Sequence, residues 1–161
     1  MASIVFRPGT VDDLSLILQF IRDLAEYERL SHEVEATEER LRETLFGERS
    51  VAEVIFAEIE GTAAGFALFF HNYSTFLARP GIYLEDLFVL PEYRGQGIGR
   101  ALLKELARIA VERKCGRFEW SVLNWNEPSI EFYKSQGAVA KDEWTVYQIT
   151  GEALTRLADP K

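Results

Sequence analysis

The sequence predicts a single domain of mixed α/β class, with a central sheet and helices packed on its faces. Three observations lead to this prediction. Short runs of β-branched and aromatic residues alternate with segments whose apolar residues recur at helical spacing. The length of 161 residues and the 47% of hydrophobic residues suit one core. The chain contains no repeat, low-complexity tract or linker, so one domain over residues 1–161 is expected.

The first helix has the clearest pattern. Thr10 is the expected N-cap, and two aspartates follow it where the helix dipole favours negative charge. The apolar residues recur at i, i+3, i+4 and i+7 as Leu14, Ile17, Leu18, Ile21, Leu24 and Ala25. Helices are predicted from Thr10 to about Arg29 and over residues 37–47, 98–113, 128–135 and 152–158. Strands are predicted over residues 3–7, 51–58, 63–73, 82–90, 118–123 and 143–150, with a hairpin turn at 60–62.

Composition excludes several classes of function. The net charge is −8, from 26 acidic and 18 basic residues, which argues against a nucleic-acid partner. No apolar run is long enough to cross a membrane, and the first residues do not resemble a secretory signal. A single cysteine, Cys115, suits the cytoplasm, and with two distant histidines it makes a metal site unexpected. The acidic residues between Asp12 and Glu60 either form solvated helix faces or attract a cationic ligand.

A glycine-rich loop is the most informative segment. A buried strand leads through a turn into Arg94-Gly95-Gln96-Gly97-Ile98-Gly99-Arg100 and directly into a helix. Glycines allow close approach of a ligand to the backbone, and the helix N-terminus offers N–H groups to an anion. Arg94 and Arg100 add charge for phosphate oxygens. The spacing fits neither a P-loop nor a dinucleotide-binding fingerprint. The pattern therefore favours a pyrophosphate cradle over a glycine turn without a ligand.

This loop resembles the Arg/Gln-x-x-Gly-x-Gly/Ala motif of the GNAT superfamily of N-acetyltransferases. Three other segments are similar to its diamine (spermidine/spermine-type) and thialysine branch: Leu24-Ala25-x-Tyr27-Glu28, Tyr83-Leu84-Glu85-Asp86, and the stretch from Trp125 through Tyr133 to Ala138. The resemblance implies a mostly antiparallel sheet with helices on both faces. It also implies acetyl-CoA as co-substrate, direct transfer to an amine without a metal, and a homodimer.

The resemblance assigns residues to the cofactor and to the chemistry. The pantetheine would be lined by Leu87, Phe88 and Val89, and the pyrophosphate would be bound by Gly95–Arg100. Further cofactor contacts would come from Asn126 and Ser129. Glu85 is the candidate base, with attraction of the substrate cation as its alternative role. Tyr133 is the candidate acid, with ordinary helix packing as the alternative. Asn126 has helix capping as a competing role.

The acidic residues indicate the substrate class. An amine carrying separated positive charges would be surrounded by Tyr27, Glu28, Glu85, Asp86, Asp142, Glu143 and Trp144. Asn124 stands where the diamine enzymes carry an acidic residue, and the stretch between Gly137 and Trp144 is shorter than in the animal enzymes. Both departures favour a smaller diamine or a thialysine-like amino acid. The alternatives are acetylation of protein N-termini or lysines, and a non-catalytic acyl-CoA sensor.

Overall fold

The computed structural model describes residues 2–161, which form two compact units, one ending at Leu123 and the other comprising Asn124–Lys161. The prediction of one domain over the whole chain stays a prediction. The strands are β1 (Ile4–Pro8), β2 (Glu53–Ile59), β3 (Thr62–Ser74), β4 (Arg79–Val89) and β5 (Arg117–Trp120). The helices are α1 (Leu14–Tyr27), α2 (Glu38–Phe46), α3 (Ile98–Glu112), α4 (Glu127–Ser135) and α5 (Gly151–Ala158).

The first unit is built on a five-stranded sheet in the order β1-β2-β3-β4-β5. The first four strands are antiparallel to their neighbours, and β5 is parallel to β4. The loop between β2 and β3 is Glu60-Gly61, with φ values of 49° and 79°. Positive φ at both positions is typical of the tight turn whose twist matches an antiparallel hairpin. The mostly antiparallel sheet and this hairpin are therefore confirmed.

Helix α1 begins and packs as its sequence predicts. Thr10 accepts a hydrogen bond from the backbone of Asp12, while Asp13 reaches back to the Thr10 N–H, so a capping box precedes the helix. The buried face contains Ile17 and Phe20, which are almost fully enclosed. The Phe20 ring stacks on Phe66 of β3 with 4.9 Å between centroids. This face fixes the C-terminal end of α1 above the sheet.

Strand β4 has an irregularity in its middle. Leu68 of β3 pairs with Asp86, whereas its neighbour Phe69 pairs with Leu84, so Glu85 is an extra residue without a partner on β3. Such a β-bulge bends the strand and changes the direction of the side chains beside it. The two acidic residues that interrupt the apolar run in the sequence therefore coincide with a bend in the backbone.

The second unit contains α4 and α5 but lacks the strand predicted over residues 143–150. Within these residues the structure has a turn at its start and otherwise no regular secondary structure or ladder pairing, so that prediction was wrong for the described structure. Alternating apolar residues favour a strand only when a neighbouring strand supplies hydrogen bonds and cover. Here Val146 and Tyr147 are 88% and 93% exposed, so neither condition is met.

Candidate active site

The end of β4 has one edge that no strand covers within residues 2–161. The parallel pairing with β5 runs from Gly81–Arg117 to Leu84–Trp120 and stops there, while β4 continues to Val89. On its other side, β4 remains paired with β3 up to Val89. The Leu90 N–H donates to Ala64 of β3, so the carbonyl of the same trans peptide, Val89 C=O, points away from β3. Backbone groups of Leu87 and Val89 therefore face the open edge.

The glycine loop lies directly after this edge. Gly95 and Gly97 have φ values of 77° and 81°, and a Cβ added at either position would meet no atom within 4 Å. Gly97 is also the N-cap of α3. The two glycines thus leave open space beside the backbone at the positive end of a 15-residue helix, where a pyrophosphate can approach closely. A Cβ added at Gly99 would lie 3.8 Å from the Val89 side chain and 3.9 Å from the Leu87 side chain, which is ordinary contact distance.

The other loop residues differ in what they offer a ligand. Gln96 and Arg100 are exposed beside the glycines. Ile98 is 1% exposed, so its side chain belongs to the core and the backbone N–H is its available group. Among the predicted pantetheine-lining residues, Phe88 is also buried, with 6% of its surface exposed, whereas Leu87 and Val89 are half-buried.

Arg94 makes contacts that the sequence did not predict. Its Nε donates to Val89 C=O at 2.9 Å, on the open edge of β4. Its guanidinium carbon lies 5.3 Å from the ring centroid of Tyr27 and 5.0 Å from that of Phe88. The two rings are themselves 6.4 Å apart. Arg94 therefore connects the last residue of α1 with the end of β4.

Three carboxylates interact in the first unit. Burial, together with smaller contributions from the charges of Glu85 and Glu28, raises the pKa of Asp86 to about 7. Burial also raises the pKa of Glu28, with a smaller contribution from the charge of Glu85. Glu85 itself is exposed at the bulge. Because adjacent negative charges disfavour one another, the cluster holds a proton near neutral pH and attracts a cation.

Sequence reasoning placed these carboxylates together but missed the special position of Asp86. It assigned proton transfer to Glu85 and treated Asp86 as a residue that attracts the cation. The strand pattern contained a usable signal, because in a regular strand Leu84 and Asp86 would share a face and Leu84 is buried. The bulge then determines how far the Asp86 carboxylate is removed from water, which the sequence does not reveal.

The remaining predicted residues lie in the second unit. Asn126 is the N-cap of α4 and accepts a hydrogen bond from the Ser129 backbone at 3.4 Å, so its capping role is confirmed. Tyr133 lies in the last turn of α4, and its C=O accepts from Gln136 and Ala138 as the helix ends. Gly137 has a φ of 91°, as a helix-ending glycine requires. The roles of Ser129 and Tyr133 toward acetyl-CoA stay predictions.

The predicted amine-binding residues of the second unit are exposed. Glu143 pairs with Lys141 at 3.0 Å, and this bond lowers the pKa of Glu143. Trp144 is 74% exposed, and Asp142 is exposed as well. Their assignment to the amine stays a prediction. Within residues 2–161, no three histidine, cysteine or carboxylate side chains are arranged so that they could hold a metal ion, and no helix has the length and apolar character to cross a bilayer.

Comparison with known proteins agrees with this geometry. The chain is 40% identical to thialysine N-epsilon-acetyltransferase of Sus scrofa, over 98% of this chain and 99% of that protein. It is 33% identical to L-ornithine N5-acetyltransferase of Arabidopsis thaliana, over 92% of this chain and 85% of that protein. An integron cassette protein from the mobile metagenome of V. cholerae superimposes with a TM-score of 0.81 at 31% identity, covering 98% and 99% of the two chains. Residues 17–138 match the model of the acetyltransferase (GNAT) family. The chain therefore belongs to the acetyltransferase (GNAT) family and is an acetyltransferase.

Proposed function

We propose that this acetyltransferase transfers an acetyl group from acetyl-CoA to the primary amine of a small polycationic or diamine substrate of polyamine or thialysine type. One observation carries the proposal: the carboxylate of Glu28, at the end of α1, interacts with those of Glu85 and Asp86 on the strand that leads into the glycine loop. A substrate with a second positive charge is held by such a cluster while its free amine is presented to the thioester. The relatives named for thialysine and ornithine support the same substrate class.

Acetyl-CoA is the acyl donor of the GNAT family. In our proposal its pantetheine lies along the open edge of β4, where the backbone groups of Leu87 and the N–H of Val89 face its amides, while the Val89 C=O accepts from Arg94. Its pyrophosphate lies at Gly95–Arg100, where backbone N–H groups and the N-terminus of α3 offset the negative charge. Contacts from Asn126 and Ser129 are proposed on the resemblance alone.

The amine must lose a proton before it can attack. An aliphatic ammonium with a pKa of about 10.4 is neutral about once in 2,500 molecules at pH 7, which costs about 4.6 kcal/mol. We assign proton acceptance to Glu85, because it is exposed at the bulge and a water can join it to the amine. Asp86 and Glu28 keep the neighbourhood negative. The arriving cation favours their ionised forms and offsets the raised pKa values.

The acetyl group then passes directly from sulfur to nitrogen. The neutral amine attacks the thioester carbonyl, the C–N bond forms, and the C–S bond breaks with its electron pair going to sulfur. The ammonium proton has passed through water to Glu85 and on to solvent before the attack, and the second proton, which nitrogen loses as the amide forms, follows the same route. We assign protonation of the thiolate to the Tyr133 hydroxyl, and water then returns a proton to the tyrosinate. Donation from a phenol of pKa about 10 to a thiolate of about 8.5 is uphill by about 2 kcal/mol, which a catalytic step tolerates. The products are the acetamide and CoA.

We also propose that the enzyme acts as a homodimer in the cytoplasm. The resemblance to the diamine branch supports the dimer, and the single cysteine, which suits a reducing compartment, supports the cytoplasm. Sedimentation equilibrium of the purified protein tests the dimer, since a concentration-independent monomer mass would contradict it.

The substrate class is tested by following CoA release with spermidine, spermine, putrescine, thialysine, ornithine, lysine and a basic peptide. We expect turnover of small polyamines or thialysine-like amino acids. Glu85→Gln and Tyr133→Phe should each reduce kcat strongly, while Glu43→Gln, which removes an exposed charge from α2, serves as the matched control. Turnover of the peptide alone would indicate a protein acetyltransferase. Tight binding of acetyl-CoA without turnover of any amine would indicate a sensor.

A further inference from the structure

The cofactor loop and the end of α1 meet at one side chain, Arg94. Its Nε is bonded to Val89 C=O, and one side of the guanidinium lies against the rings of Tyr27 and Phe88. Phe88 is buried and packs on Phe20 of the core, with 6.4 Å between centroids. Tyr27 is 38% exposed, so it forms the outer wall of this arrangement.

The contacts of Arg94 leave its phosphate-binding capacity intact. The bond to Val89 uses Nε alone, and the two terminal nitrogens carry four further N–H donors. An arginine side chain is long, and ordering it at a ligand costs up to about 2 kcal/mol of rotamer entropy. A guanidinium already fixed by a carbonyl and two rings has lost much of this freedom before a ligand arrives. The side chain is exposed next to Gly95, where the loop presents its backbone.

We propose that Tyr27 is a positioning residue for acetyl-CoA: its ring holds the Arg94 guanidinium over the end of β4, so that the terminal nitrogens are preorganised for the pyrophosphate. The proposal rests on the pyrophosphate position assigned above. Tyr27 then contributes to cofactor binding in addition to the amine binding predicted from the sequence. Because Glu28 follows Tyr27 directly, the contact also joins the acidic cluster to the cofactor loop.

A double-mutant cycle on CoA affinity tests this role. Dissociation constants for CoA are measured by titration calorimetry, without any amine, for the wild type, Tyr27→Leu, Tyr27→Phe, Arg94→Met and the double variant Tyr27→Leu/Arg94→Met. A cation–π contact at a partly exposed site corresponds to about a two- to fivefold change in affinity. We expect Tyr27→Leu to weaken CoA binding by about threefold. Tyr27→Phe keeps the ring and should bind as the wild type does.

The double variant separates positioning from a general effect on the fold. Arg94→Met should weaken binding about tenfold or more, because a charge-assisted contact to phosphate is lost. Adding Tyr27→Leu to Arg94→Met should cause no further loss. An equal threefold loss in both backgrounds would overturn the proposal, as would unchanged affinity in Tyr27→Leu. If the wild type itself bound no CoA, the proposed function would fail instead, and the two failures are therefore distinguishable.

Discussion

Asp86→Asn is expected to stabilise the protein at alkaline pH. The pKa of the Asp86 carboxyl is raised from 3.8 to about 7, first by burial and then by the charges of Glu85 and Glu28. Between about pH 4 and pH 7 the folded state therefore binds more protons at this group than the unfolded state does. Stability falls as pH rises through this window and stays level above it. An asparagine removes the ionisation while keeping nearly the same shape.

The magnitude follows from the raised pKa. Each pH unit of difference between folded and unfolded pKa corresponds to about 1.4 kcal/mol, so ionising Asp86 costs the folded protein about 4 kcal/mol at pH 8 as an upper bound. Asp86 is half-buried and shares the unfavourable charge with its neighbours, so we expect the variant to recover about 2–3 kcal/mol. At about 2–4 °C per kcal/mol, this raises Tm by about 4–12 °C.

The assay is urea and thermal unfolding at pH 4 and pH 8. Asp86→Asn should gain stability at pH 8 and change little at pH 4, where the wild-type carboxyl is protonated in the folded state. The control Glu43→Gln should stay within about 0.5 kcal/mol of the wild type at both pH values. An Asp86→Asn variant that is equally or less stable than the wild type at pH 8 would refute the argument from burial and mutual repulsion.

Three further predictions concern the loop, the acid and the sheet. Gly97→Ala should lower the free energy of unfolding by about 1–2 kcal/mol, because the φ of Gly97 is 81°. The same variant should bind CoA more weakly in calorimetry, and unchanged affinity would argue against a pyrophosphate site at this loop. Tyr133→Phe should lower kcat about a hundredfold with little change in the KM for acetyl-CoA, and a wild-type kcat would remove Tyr133 as the acid. Gly81→Ala should destabilise the protein by about 2 kcal/mol or more in urea melts, since the new Cβ would meet Asn72 Oδ1 in the β3–β4 pair; a melt like that of the wild type would contradict this.

Local patterns in the sequence determined most of the helices and strands. The spacing of Ile17 and its apolar neighbours, the cap at Thr10 and the glycines around α3 each act within a few residues of the chain. Such signals depend on backbone conformation and on one buried face, so they can be read without knowing the partner. The glycine loop belongs to the same class, because positive φ and a helix N-terminus are local properties.

The strand predicted over residues 143–150 shows what local sequence patterns do not determine. Its alternation of apolar residues is a local signal, but a strand exists only through pairing with a distant segment. The pKa of Asp86 and the contacts of Arg94 likewise depend on segments that are distant in the chain. The sequence alone determined that carboxylates and an arginine flank the cofactor loop. The tertiary structure decided that Glu85 is the bulged residue, that Asp86 loses water, and that Arg94 lies against Tyr27. Desolvation and ring contacts depend on distances between segments far apart in the chain, and these are set by packing of the whole unit.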